Sequence, residues 1–175
     1  EEVADGRGRA LPFALGAAQG VKGAPLTIQL NGARRVAIRY RTSPDAAALQ
    51  WLTPEQTAGK RQPFLFSQSQ PTLARTWVPT QDSPGIRQTY AARIVAPADL
   101  RAVMSAEMLT PDGEAAEGGR AYRFRMDHPI PPYLIAIGVG DLAFAPFDGR
   151  TGVWTEPSRL AAARWGLLRG APEAV

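Results

Sequence analysis

Sixteen prolines and seventeen glycines are spread along these 175 residues, and few stretches between them are long enough for a stable helix. Proline fixes φ and removes a backbone donor, and glycine weakens the interior of any regular element. A chain interrupted this often is expected to fold as short strands joined by tight turns. The apolar pattern agrees. Leu11–Leu15 and Leu26–Leu30 are short apolar runs bounded by glycine or proline, and Val36 to Tyr40 alternates with period two. The alternation returns over Tyr90–Val95 and again over Tyr122–Met126, where Tyr122, Phe124 and Met126 share one face and Arg123 and Arg125 the other. Tyr133 to Val139, a nearly continuous apolar run closed by Gly138 and Gly140, is expected to be a central strand buried on both faces. Pro111–Gly119 carries turn chemistry and is expected to be a solvent loop. Only Ser158–Leu168, with Ser158 as N-cap, has the spacing of a helix. The predicted fold class is therefore all-β, with a β domain over residues 1–157 and a helical exit segment over 158–175.

The length is enough to bury a sizeable core, so neither disulfides nor a structural metal is required. The absence of cysteine fits a reducing compartment and a cytoplasmic location. The chain opens on Glu1 with no secretory-signal pattern, and a start further upstream is expected. Its longest apolar run is far below the roughly 20 residues of a helical membrane span, so no membrane association is expected. Eighteen arginines and two lysines oppose sixteen acids, for a formal net charge of +4. The densest basic group, Arg34, Arg35, Arg39 and Arg41, is interleaved with Val36, Ile38 and Tyr40. That is the pattern of a solvated sheet face, and no nucleic-acid partner is expected.

The inventory of reactive side chains is short. His128 is the sole histidine, so a nucleophilic triad or a cysteine–histidine zinc cluster lacks its raw material. Gly59-Lys60 does not complete a phosphate loop, because Pro54 stands where the first glycine belongs and Arg61 replaces the hydroxyl residue after lysine. Trp51, Trp77, Trp154 and Trp165 allow either packing or a stacking platform. The platform reading gives an alternative, a non-catalytic β-sandwich interaction or carbohydrate-binding module. More distinctive is the polar but aromatic-bearing stretch from Trp51 to Arg87, in which Gln68 and Gln70 stand two residues apart. Amides in such a stretch need several hydrogen-bond partners, or they are presented to a ligand.

Leu49-Gln50-Trp51-Leu52-Thr53-Pro54-Glu55-Gln56-Thr57 and Phe64-Leu65-Phe66-Ser67-Gln68-Ser69-Gln70 resemble the amino-terminal domain of leukotriene A4 hydrolase-like zinc aminopeptidases. The similarity continues through Pro71–Arg87, resumes at Pro129–Gly140, and covers most of the chain from Ile38 to Glu156. It implies a saddle-shaped domain of mixed and antiparallel sheets, whose rim packs over a downstream thermolysin-like catalytic domain and closes the non-primed end of a peptide cleft. Zinc would be bound by that further domain. The family's Gly-Xaa-Met-Glu-Asn and His-Glu-Xaa-Xaa-His motifs do not occur here, so no metal ligand or catalytic residue is assigned to these 175 residues, and the chain alone is expected to be inactive. The resemblance implies that Gln68 and Gln70 contact the free amino end of a peptide substrate. Arg75, Trp77, Asp82 and Pro84 are expected to be structural, with Ala74–Val78 forming an alternating strand behind the glutamines. Past Pro157 the resemblance fades, and the oligomeric state is left open.

The chain should give a far-ultraviolet circular dichroism spectrum dominated by sheet; a helical spectrum with paired minima would contradict the period-two reading.

Overall fold

The computed structural model describes residues 2–163, and within them the regular structure is almost entirely antiparallel sheet. In chain order the strands are β1 (Glu2–Asp5), β2 (Phe13–Leu15), β3 (Leu26–Ile28), β4 (Val36–Arg39), β5 (Leu49–Leu52), β6 (Phe64–Ser67), β7 (Gln88–Ala96) and β8 (Arg101–Met104). They continue as β9 (Glu107–Met108), β10 (Glu114–Ala116), β11 (Gly119–Ile130), β12 (Ile137–Gly140), β13 (Ala143–Pro146) and β14 (Gly152–Thr155). Two four-stranded sheets form the body of a saddle-like domain. One has the order β5-β6-β12-β8, and the other β10-β11-β7 with β9 also paired to β11. Three two-stranded sheets, β1-β4, β2-β3 and β13-β14, complete the described residues.

The longest pairing, β7 with β11, shows how the alternation acts. Tyr122 and Phe124 point inward and are almost fully buried, joining Ala96, Leu100 and Ala102 in one cluster. Ala102 lies on β8, so this cluster welds the two four-stranded sheets together. The Tyr122 hydroxyl is satisfied by the Leu100 carbonyl at 3.2 Å, which makes burial of a tyrosine there tolerable. On the outer face Arg123 meets Glu114 at 3.0 Å, and Arg125 meets Glu107 and Asp127 at 3.1 and 3.0 Å. These pairs are exposed, so they fix register more than they add stability.

Three expectations are corrected. Tyr133–Val139 is not one strand, because Pro131 and Pro132 impose a 3-10 turn over Pro132–Leu134, and β12 starts only at Ile137. Leu134 is exposed, although β12 does sit inside its sheet between β6 and β8. The segment Pro111–Gly119 is not wholly loop, since β10 folds back on β11 through the Glu117-Gly118 turn, with Gly119 opening β11. Both glycines have positive φ, and a Cβ on Gly119 would collide with the Ala96 carbonyl, so the turn sequence is imposed by the neighbouring strand. At the C-terminal end Glu156, not Ser158, holds the N-cap position of a 3-10 turn over Pro157–Arg159, without a side-chain cap bond, and helix begins at Leu160. The rest of the expected helix, with Trp165, lies outside the described residues.

Phe124→Ala should destabilise the domain by about 3 to 5 kcal/mol and lower its thermal midpoint by roughly 10 °C, whereas Arg123→Ala should cost about 0.5 kcal/mol or less. Scanning calorimetry of both variants checks the contrast.

Candidate functional site

The glutamine ledge is built from its flanks inward. Before it, Thr53-Pro54-Glu55-Gln56-Thr57 closes into one 3-10 turn whose ends are capped by its own side chains. The Thr53 N–H donates to Gln56 Oε1 at 2.9 Å, and the buried Thr57 hydroxyl donates to the Pro54 carbonyl at 2.8 Å. The Thr53 hydroxyl bonds Glu55 and holds its carboxyl below the usual value. This motif is thus explained by local capping. The next turn is clamped from a distance, because the Glu156 carboxylate accepts the N–H groups of Ala58 and Gly59, both at 2.8 Å. β5 and β6 then pair in the register Leu49↔Ser67, Gln50↔Phe66, Trp51↔Leu65 and Leu52↔Phe64. At the end of β6 the Ser67 hydroxyl accepts the Ile137 N–H at 2.9 Å and ties the ledge to β12.

Past Ser67 the chain stays extended for one more pairing, with the Gln68 N–H donating to the Ala48 carbonyl at 2.8 Å. Parity then places Gln68 and Gln70 on the exposed side and Ser69 inside, 2% exposed. Behind the ledge the Ser69 hydroxyl accepts the Trp77 indole N–H at 3.1 Å, and the Ser69 carbonyl accepts the Leu73 N–H at 2.8 Å. Gln68 Oε1 accepts the Gln70 N–H at 2.9 Å. One glutamine therefore braces the backbone of the other. Gln70 makes no side-chain hydrogen bond among the described residues, so its amide is free to take a ligand.

Ala74–Val78 is not the expected strand. Ala74–Thr76 is a 3-10 turn that packs the fully buried Ala74 beneath the ledge. The Thr76 hydroxyl accepts the Ala48 N–H at 3.1 Å, and the Trp77 carbonyl accepts the hydroxyls of Tyr40 at 3.0 Å and Thr42 at 3.3 Å. Arg75 and Asp82 close the segment into a loop. Asp82 Oδ2 accepts the backbone N–H of Arg75 at 3.0 Å and its Nε at 3.4 Å, while Arg75 Nη2 donates to the Asp82 carbonyl at 2.5 Å. The Asp82 side chain is 1% exposed and that of Arg75 28%. Pro84 is exposed in the turn that follows, where the Ile86 N–H meets the Ser83 carbonyl at 3.0 Å. Ser69 was missed in the sequence, although its place between two outward glutamines is the signal that points it inward.

The remaining candidates do not converge. Trp51 is exposed on the edge strand β5, Trp77 is spent on Ser69, and Trp154 packs on Phe144 at 5.0 Å with the Arg101 guanidinium 5.3 Å above its ring. Three tryptophans on three separate elements do not make one stacking platform. His128 is exposed on β11, where the pairing with β7 shifts register. Among the described residues no three histidine, aspartate or glutamate side chains are grouped to hold a metal, so these residues do not fit a catalytic zinc. No described helix is long and apolar enough to cross a membrane.

Residues 20–134 match the peptidase M1 N-terminal domain. The chain belongs to that family. It is 43% identical over 163 residues to leukotriene A-4 hydrolase of Xenopus laevis, covering 87% of this chain and 26% of that protein. Against aminopeptidase B of Mus musculus it is 46% identical over 127 residues, covering 73% and 19%. Among solved structures, yeast LTA4 hydrolase in complex with bestatin superposes with a TM-score of 0.82 at 35% identity, over 94% of this chain and 25% of the other. An M1 zinc metallopeptidase from Deinococcus radiodurans shares the fold, with a TM-score of 0.57 at 21% identity over 88% and 35%. The chain thus spans about a quarter of the length of the leukotriene A4 hydrolases it matches, and its relatives carry further domains.

Asp82→Ala should cost about 1.5 to 3 kcal/mol, because it removes the carboxylate that holds the Arg75 N–H and Nε, whereas Pro84→Ala should stay within about 0.5 kcal/mol. Urea unfolding of the two variants separates a segment held by the ion pair from one held by its turn.

Proposed function

We propose that this domain forms the amino-end wall of the peptide cleft in a zinc-dependent aminopeptidase, with the zinc and the reacting water held by a thermolysin-like catalytic domain elsewhere in the same polypeptide. Family membership supports the reaction class. The observation that carries the role of this domain is the ledge itself, in which Gln70 presents an unengaged amide from a backbone fixed by Gln68, Ser69 and Trp77. The Gln70 side-chain oxygen accepts from the ammonium of a peptide's first residue, a charge-assisted bond that a blocked amine cannot make. Gln68 acts as a positioning residue, since its oxygen is already committed to the Gln70 N–H and only its NH2 group remains to reach the substrate. No step of bond cleavage is assigned to these residues. Their contribution is orientation, setting where the chain end stops relative to the scissile bond.

In the full-length protein Gln70→Ala should lower kcat/KM for a free peptide by about ten- to a hundredfold, the equivalent of roughly 1.5 to 3 kcal/mol, and leave the already poor turnover of the amino-acetylated peptide unchanged. Near-wild-type efficiency on the free peptide in a folded, zinc-replete variant removes Gln70 from this role.

A further inference from the structure

The turn that leads into β10 is closed by the Gly113 N–H on the Thr110 carbonyl at 3.0 Å, and it lies against the start of β11. Only glycine fits there, because Gly113 has a φ of +69° and a Cβ would stand 2.9 Å from the Tyr122 ring. Two successive carbonyls of this turn each hold a guanidinium. Arg101 Nη1, from β8, donates to the Pro111 carbonyl, and Arg120 Nη1, from β11, donates to the Asp112 carbonyl at 2.9 Å. Trp154 fixes the Arg101 guanidinium from a third direction, 5.3 Å from its ring centre. On the outer face of β11 the arginines end on carboxylates. Arg101 and Arg120 do not, and neither has an ion-pair partner among the described residues.

Carboxylates are nevertheless at hand. Arg101 and Arg120 line an open cleft of about 370 Å³ together with Asp99 from the β7–β8 turn, Asp112, and Asp141 from the β12–β13 turn. A volume of this order lies within the range of small-molecule sites, about 300 to 1,000 Å³. None of the three aspartate side chains makes an ion pair among the described residues either. Single unpaired charges are ordinary on a surface. Here charges of both signs surround one space, and the cations are kept from the anions by the carbonyls that hold them.

The charges also select the ligand. Two guanidiniums anchored on adjacent carbonyls repel each other, and an anion between them relieves that repulsion. The three carboxylates outnumber them, so a dianion such as phosphate meets net repulsion. A bare divalent cation is no better served, because among the described residues no three acidic side chains are grouped to hold a metal. A molecule with one carboxylate and one ammonium answers both halves of the cleft. We propose that this cleft binds a free α-amino acid, its carboxylate on Arg101 and Arg120 and its ammonium toward the aspartates. The assignment follows from these charges and is independent of the role of Gln70, although an aminopeptidase releases such a molecule at every turnover.

The test uses the full-length protein, with hydrogen exchange read peptide by peptide so that binding elsewhere on the molecule is not counted. L-Alanine should slow exchange across Ala98–Ala102 and Pro111–Ala121. N-acetylalanine lacks the ammonium and alaninamide the carboxylate, and each should need at least about tenfold more ligand for the same protection, the loss expected for one charge-assisted contact. Arg120→Gln should weaken alanine itself by a similar factor. Absence of protection by alanine in these two segments overturns the proposal, as does equal protection by either analogue or by inorganic phosphate. The ligand series needs no substitution and decides the matter if Arg120→Gln fails to fold.

Discussion

A buried carboxylate must be paired, and in this domain the pairing of Asp82 with Arg75 shapes everything around it. Because Asp82 Oδ2 takes both the backbone and the side chain of Arg75, the seven-residue interval between them is pulled into a closed loop. The loop packs Ala74 inward and brings the Trp77 ring to Ser69. With Ser69 held from behind, its two neighbours in sequence have only the solvent side left to them. The exposure of the glutamines is therefore a consequence of polar groups buried beneath and of the Gln68 N–H bond to Ala48, and their only side-chain contact is the one Gln68 makes to Gln70.

The parts of the fold legible in the sequence were those in which one local signal acts alone. Tyr122–Met126 could be read side by side because charge and aromatic residues alternate there without interruption, and Tyr122 and Phe124 do enter the core while Arg123 and Arg125 stay out. Tyr133–Val139 misled because its apolar content is as suitable for a turn packed on a sheet as for a strand. The deciding feature was the preceding pair of prolines, which cannot supply the donors a ladder needs. β10 was missed for the opposite reason. Its residues, Glu114 to Ala116, have no strand propensity to speak of, and they pair because the Glu117-Gly118 turn, with Gly118 at positive φ, returns the chain against β11.

The site was legible to a different depth. Spacing alone places Gln68 and Gln70 on one side of an extended chain, the polarity of their stretch marks them as a candidate, and resemblance supplied the ligand to expect there. What spacing could not supply is the division of labour between two identical amides, which depends on the Gln68 oxygen reaching the Gln70 N–H. Nor could it foresee that Thr53-Pro54-Glu55-Gln56-Thr57 is absorbed by its own caps, since the same residues on a different backbone could face a ligand. The long-range tie from Glu156 to Ala58 and Gly59 spans nearly a hundred residues and leaves no local trace.

Trp77 joins two parts of the domain that the sequence gives no reason to connect. Its indole N–H holds Ser69 behind the ledge, and its carbonyl receives Tyr40 and Thr42, which lie just beyond β4. Tyr40, Trp77 and Asp82 also line an open cavity, so the wall of that cavity and the support of the ledge are one piece of polypeptide. The hydrogen bonds of Trp77 to Tyr40, Thr42 and Ser69 tie the two together, so Trp77 and Tyr40 support the backbone between the two glutamines. The order of the ledge is then a property of the polypeptide packed beneath it. Ordering supplied by neighbouring packing need not be provided when a ligand arrives.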